Sequence, residues 1–383
     1  NNYSSGSLTM AAHAKLSASG SSRWLNCTGS VKAEQSFKDS SSPAAEYGTC
    51  AHELADIVLS TGKNIDSFLG QTLSDAPSVK VDQEMIDNVQ GYVNYVQSFG
   101  GEQFYEVRLD YSHLVPNGFG TSDAVVIVDN VLHVIDLKMG KGVVVDAENN
   151  TQGMLYALGA VEEYGYLYDF DKVVIHIYQP RVSNFSTWEL SILDLTLFGE
   201  YVTKQAIEAL SDDAPRTPGD KQCQWCKAKA TCPALLKHAE QTISADFDNL
   251  DDLPDVDSLT PDKLSVILSN KKLIESWLKA VEEHISHTLL DGEEFPGFKL
   301  VAGRSLRKWA NEDEAQEQLI TLLDEQAFEK KLLTVAKAEK ALGAKRKKEI
   351  ENLIIKPEGK PTLAPESDKR PSINNCSNDF DLL

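Results

Sequence analysis

VVIVDNVLHVIDLKMGKG, residues 125–142, decides how this chain of 383 residues is to be read. Two apolar runs flank Asp129-Asn130, a dipeptide that favours the two-residue turn of a β-hairpin. The second run ends in Asp136-Leu137-Lys138. Side chains alternate across a strand, so Asp136 and Lys138 share one side with Leu137 opposite. Charges at the end of so apolar a strand are costly to bury unless they pair or bind something. Asp123, at the start of the first strand of the hairpin, falls near the same end as Asp136. Two converging carboxylates suit a hard divalent cation such as Mg2+ or Mn2+. A lysine beside them can orient a water or stabilise charge developing at phosphorus. Taken alone, Asp-X-Lys is most often a surface ion pair, so its surroundings carry the weight.

Working outward, FYEVRLDYS (104–112), TSDAVVIVD (121–129) and VLHVIDLK (131–138) read as three successive strands. Residues 82–99 have helical apolar spacing. GTCAHELA (48–55) opens a helix near Gly48 and Thr49, which puts His52 at a helix start and makes Glu53 a solvated first-turn acid. QGMLYALGAVEEYG (152–165) is a helix stopped near Gly165, and KVVIHIYQP (172–180) is a strand stopped by Pro180. A further strand in FSTWELSIL (185–193) and a helix around 194–211 follow. This order predicts an α/β unit with a central mixed sheet flanked by helices. Residues 1–9 read as a leader or expression remnant before Met10. The α/β domain spans 10–245 and closes on a cysteine-rich segment. An acidic linker covers 246–259, a mainly helical appendage 260–350, and a polar tail expected to be disordered 351–383.

Composition bounds the function. With 42% hydrophobic and 25% charged residues the chain has the makings of a globular core. No apolar run reaches the length of a membrane span, and a cytoplasmic location is expected. A net charge of −21 argues against indiscriminate nucleic-acid binding, which draws on Lys and Arg, without excluding a local basic groove. Residues 329–349 are one candidate. A second is FPGFKLVAGRSLRKW (295–309), where Arg304, Arg307, Lys308 and Trp309 could grip single-stranded nucleic acid through phosphate contact and stacking, or form an ordinary strand edge. Three of the six cysteines crowd into CQWCKAKATC (223–232). Cys223, Cys226 and Cys232 can occupy three corners of a tetrahedral zinc site or a cubane cluster, with Cys27 or Cys50 as fourth ligand.

His52 in its Gly-Thr-x-x-His setting, Asp123, Asp136-x-Lys138 and Gln152-x-x-x-Tyr156, in that order, resemble the RecB-like branch of the PD-(D/E)XK nuclease superfamily over residues 13–240. The whole chain looks like a phage-encoded family labelled domain of unknown function 2800. The resemblance implies a restriction-endonuclease-like core and metal-dependent hydrolysis of DNA by an exonuclease or single-strand/flap nuclease, in phage-type replication, recombination or repair. By residue-wise carry-over, His52, Asp123, Asp136 and the Leu137 backbone carbonyl would hold Mg2+ or Mn2+. Lys138 would be the catalytic lysine, with Gln152 and Tyr156 positioning it or the DNA backbone. Asp136 stands where many relatives carry Glu. Glu106, on the first strand, is a further acid that could face the site. Relatives with an iron–sulfur cluster take one cysteine before the histidine and three after the core, which favours Cys27 with Cys223, Cys226 and Cys232 around [4Fe–4S]; structural zinc is the alternative. DNA is the implied partner, alongside phage replication or recombination proteins, and some relatives form oligomeric rings. The alternatives in function are a nuclease-fold module that holds DNA ends without cutting, or a purely structural metal-cluster protein.

Overall fold

The computed structural model describes residues 14–37, 42–244, 260–301, 311–323 and 346–354, with the single residues 328, 335 and 338. The hairpin around residue 129 forms as its sequence demands. Asp129 and Asn130 both adopt left-handed φ, 49° and 59°, and Val128 pairs with Val131 across them. The flanking strands are β2 (Phe119–Val128) and β3 (Val131–Leu137). With β1 (Glu102–Asp110), β4 (Lys172–Gln179) and β5 (Asn184–Ser191) they make one five-stranded sheet in order β1-β2-β3-β4-β5. All neighbours are antiparallel except β3 and β4, which run parallel. That single parallel pair needs a crossover, and α5 (Thr151–Tyr164), capped by Asn150 Oδ1 accepting from the Gly153 N–H, supplies it. The expected mixed α/β architecture is therefore present.

Two helical layers cover the sheet. α3 (Pro43–Thr61) and α4 (Gln83–Gln97) bury Leu54, Val58, Met85, Val89 and Val96 against Ala124, Val126, Ile135 and Leu137. The other face is covered by α1 (Ser21–Trp24), α5 and α6 (Ile192–Ala209), with Trp24, Leu155, Leu195 and Val202 set against Val125, Leu132, Val134, Ile175 and Ile177. Each such side chain, taken fully out of water, contributes roughly 1.5–3 kcal/mol. On the α4 side lies a polar exception. Tyr95 OH meets His176 Nδ1 at 2.9 Å, and His176 Nε2 meets His133 Nδ1 at 2.9 Å, with the Phe99 ring against both imidazoles. Burial, with the neighbouring His133, pushes His176 down to about 3, and burial lowers His133 as well.

α2 (Ser30–Glu34) lies between α1 and α3, and α7 (Asp220–Gln224) and α8 (Pro233–Ser244) follow the sheet and α6. A 30-residue helix, α9 (Pro261–Leu290), packs on α7 and α8 through Leu273 and Trp277 against Cys223, Cys232 and Leu235. The first compact unit runs to Phe295, so α9 belongs to it and not to the later residues with which the sequence groups it. The second unit, from Pro296, contains α10 (Glu312–Leu323). Residues 1–9, the linker 246–259, the tail from 355, Arg304, Arg307, Lys308 and Trp309, and most of the basic stretch 329–349 lie outside the described residues. Among the described residues no helix is long and apolar enough to cross a membrane.

Candidate functional site

The sheet is interrupted where the acids sit. The β2–β3 ladder ends at Ala124↔Ile135, which puts Asp123 opposite Asp136 where the two strands part. Asp123 is thus mid-strand in β2 rather than at its start, because β2 already begins at Phe119, paired with β1. The β1–β2 ladder runs from Glu102↔Ile127 to Asp110↔Phe119 but skips Glu106, whose φ is 43°. Left-handed backbone is uncommon for a residue with a Cβ and clusters at functional sites. Here it reverses the facing of the strand. Phe104 and Val107, three apart, pack on the same α5-side cluster, which a regular strand forbids.

Asp123 is forked. Its Oδ1 lies 3.0 Å from His52 Nδ1, and its Oδ2 accepts from the Leu137 N–H at 2.7 Å. Lys138 Nζ donates to Asp136 Oδ1 at 3.2 Å and to Gln152 Oε1 at 3.0 Å. Gln152 Nε2 in turn donates to Tyr156 OH at 3.1 Å. Gly120 makes room for that tyrosine, since a Cβ there would stand 2.6 Å from Tyr156 Cε1. The sequence-derived residues His52, Asp123, Asp136, Lys138, Gln152 and Tyr156 therefore form one contiguous constellation. Exposure rises across it, from 5% at the Asp136 side chain through 14% at Asp123 to 31% at His52.

Burial pushes the Asp136 carboxyl up, more than the Lys138 charge can offset. Burial also works against Asp123, but His52, Lys138 and the Leu137 N–H outweigh it and hold that carboxyl below its usual range. Burial opposes charge on His52, yet Asp123 wins and pushes the imidazole up to about 9. Glu106 keeps an exposed face. The protein crowding it, followed by the Asp123 charge, nonetheless pushes it up to about 7. Such mutual strain among acids is what a cation relieves. The donor set fits a hard divalent ion in a second respect. Asp136 Oδ2 is buried within 2.9 Å of Lys138 Nζ but accepts no directed hydrogen bond, so a lone pair remains free.

Residues that sequence reasoning passed over hold this arrangement. α3 starts at Pro43, with Ser42 capping the Ala45 N–H, so Gly48 and Thr49 are interior to it and His52 sits in the third turn. Glu53 is not a solvated first-turn acid. It accepts from the Ser74 and Asp75 N–H groups and clamps that loop to α3. Gln179, 1% exposed, donates to the Gly140 and Val143 carbonyls and accepts from the Val145 N–H, fixing the loop that follows Lys138. Arg181 reaches the Met139 carbonyl and Glu84 from the same side. Only an amide or guanidinium aimed at backbone does this, and nothing in linear sequence marks such aim.

Cys27, Cys223, Cys226 and Cys232 line a single cavity with Arg216, Thr217 and Lys229. Cys50 is fully buried in the α3–α4 core, so the structure groups Cys27 with the other three. The Thr217 N–H points at Cys27 Sγ at 3.3 Å, and burial raises Cys27 and Cys223 and pushes Cys226 up to about 12. Thiols so placed become thiolates only when a bound metal supplies the compensating charge. Among the described residues, the candidate donor atoms of His52, Glu106 and Asp123 close within 4.8 Å of one another.

The segment carrying Cys27 is tied down independently of any metal. The Gly29 N–H donates to the Pro215 carbonyl, Thr28 Oγ1 donates to Glu208, and Glu34 accepts from the Lys227 N–H while pairing with Arg23. Gly29 is required here, because a Cβ would stand 2.5 Å from the Ala214 carbonyl oxygen. Gly29→Ala is expected to destabilise the fold by about 1–3 kcal/mol. Gly48→Ala, where a Cβ meets nothing within 4 Å, should stabilise it by about 0.5–1 kcal/mol. Paired urea titrations check both signs, and equal shifts would contradict the close approach.

Over residues 13–371 the chain matches the family described as "Protein of unknown function (DUF2800)". A solved structure titled "Crystal structure of SSO0001" is 17% identical, with 59% of this chain and 90% of that chain covered and a TM-score of 0.27.

Proposed function

The chain belongs to the family described as a protein of unknown function (DUF2800), and we propose from its own site that it is a divalent-metal-dependent deoxyribonuclease of the RecB-like PD-(D/E)XK kind. The observation that carries this reading is the unbroken line from His52 through Asp123 to the Leu137 N–H, and on through Asp136, Lys138, Gln152 and Tyr156, at the point where β2 and β3 part. His52, Asp123, Asp136 and the Leu137 carbonyl would hold Mg2+ or Mn2+. Such an ion supplies Lewis acidity toward a phosphoryl oxygen and a more acidic water.

The protein's own groups have separable tasks. Asp136 and Asp123 overcome the burial that disfavours the Lys138 charge and hold that ammonium above its usual range. Its Nζ is positioned to orient an attacking water or to counter charge on the phosphorane. Gln152 and Tyr156 fix that ammonium from α5, and the Gln179 clamp fixes the loop behind it. The four cysteines that line one cavity would hold a structural [4Fe–4S] cluster joining the N-terminal segment to α7, with structural zinc as the alternative. DNA ends or single strands are the proposed substrate, in phage-type replication, recombination or repair.

The test is cleavage of end-labelled single- and double-stranded DNA by anaerobically purified protein, with Mg2+ or Mn2+ against a chelator. Wild type is expected to cut only with metal, and Lys138→Met to cut at least about 100-fold more slowly. No cutting by a preparation that retains its iron would sink the reading and favour a module that binds DNA ends without hydrolysis.

A further inference from the structure

Asp123 uses its two oxygens in different directions. Oδ2 turns to the β3 backbone at Leu137, while Oδ1 turns to His52. On the Oδ1 side a third donor converges, and the candidate ligand atoms of His52, Glu106 and Asp123 all lie within 4.8 Å of one another. Asp136 stands apart from that trio on the Lys138 side, 3% exposed, with Oδ2 lacking a directed hydrogen bond. The acids therefore bracket Asp123 from two sides, one buried and one open to solvent.

We propose that Glu106 is a protein ligand of the divalent cation, completing a set of His52, Glu106 and Asp123 to which Asp136 adds from the buried side. The kind of cation rests on the nuclease reading; the donor set rests on the geometry. Three facts join here. Glu106 offers a hard carboxylate oxygen of the type such cations prefer. Among the described residues that carboxylate has no hydrogen-bond partner. And it enters from the solvent side, so water and a phosphate oxygen can still reach the ion, as a catalytic site requires. The gap in the β1–β2 ladder at Glu106 also acquires a role. A regular ladder would keep the facing of β1 in step through this position, whereas the left-handed residue lets the strand change face beside Asp123.

The experiment is Mn2+ binding to the chelator-stripped full chain, followed by electron paramagnetic resonance and calorimetry. Wild type is compared with Glu106→Gln, Glu106→Gly and the remote acid variant Glu189→Gln. Loss of a ligand should lower Mn2+ affinity by at least about tenfold in both Glu106 variants and leave Glu189→Gln unchanged. Glu106→Gly additionally relieves the left-handed backbone, so its metal-free melting temperature should hold or rise while its Mn2+ affinity falls. Mn2+ affinity within about twofold of wild type in both Glu106 variants, or no Mn2+ binding by wild type, overturns the assignment. The two readings separate cleanly. A protein that binds Mn2+ through Glu106 but cuts no DNA keeps the ligand and loses the nuclease. One that cuts DNA while both variants bind normally keeps the nuclease and loses the ligand.

Discussion

Asp136→Asn is expected to slow metal-dependent DNA cleavage by at least about 10³-fold while leaving the fold nearly as stable as wild type. The two halves of this expectation have separate causes. Asparagine preserves the shape of the side chain at the end of β3, but the amide is a far weaker ligand for a hard cation and no longer balances Lys138. Removing one partner of a buried ion pair commonly costs about 3–5 kcal/mol. That cost is reduced here, because burial already pushes the Asp136 carboxyl up against its own charge, and because Lys138 keeps Gln152 and the Asp123 charge. A change of no more than about 1–2 kcal/mol should remain. Single-turnover cleavage beside urea unfolding decides the matter. Retained cutting would remove Asp136 from the site, whereas loss of both cutting and folding would make it a structural residue.

Acid should weaken the protein through the His133–His176 pair on the opposite face of the sheet. His176 is held at about 3 in the folded chain against 6.5 for a free imidazole. Between those values the unfolded state binds a proton that the folded state does not, so stability falls as pH drops through this window. The slope approaches 1.36 kcal/mol per pH unit for one group, or about 2 kcal/mol between about pH 6.5 and 5. Glu106, raised to about 7, acts in the other direction over part of the same range, because its folded form binds the extra proton. The informative quantity is therefore the difference between wild type and His176→Gln. The variant should lose about 2 kcal/mol less than wild type on acidification to about pH 5, read from urea midpoints. Parallel pH profiles would show that the pair accepts its proton without opening.

Much of this was legible because it is local. Asp129-Asn130 dictates a turn whatever surrounds it, and the period-two runs on either side dictate strands. The catalytic-type residues could be placed because strand alternation sets Asp136 beside Lys138 and helix spacing sets Gln152 beside Tyr156. What escaped depends on tertiary aim. Glu106 can be named from the sequence as a strand acid that could face the site, but its closeness to His52 and Asp123 shows only where the ladder breaks beside it. Glu53 looks like a first-turn acid because Gly48-Thr49 mimics a helix start, while Ser42-Pro43 supplies the actual cap. Cys27 and Cys50 are equivalent by spacing alone, and packing against Thr217 or inside the α3–α4 core separates them. The helix from Pro261 follows an acidic stretch that reads as a boundary, yet its apolar side faces the cysteine segment.

The latch that joins residues 28–34 to 208–227 also governs how the protein can be made. Partners in it are separated by 180 to 193 residues of chain. At ribosomal speeds that interval lasts about 10–40 s. Throughout it Thr28 and Glu34 lack these partners, while Trp24 and Leu25 can already pack on the core strands and α5, with Ser21 meeting Thr151. Of the contacts described for the N-terminal segment, those of residues 28–34 with 208–227 are therefore the last to become possible, once α6 and α7 have been made.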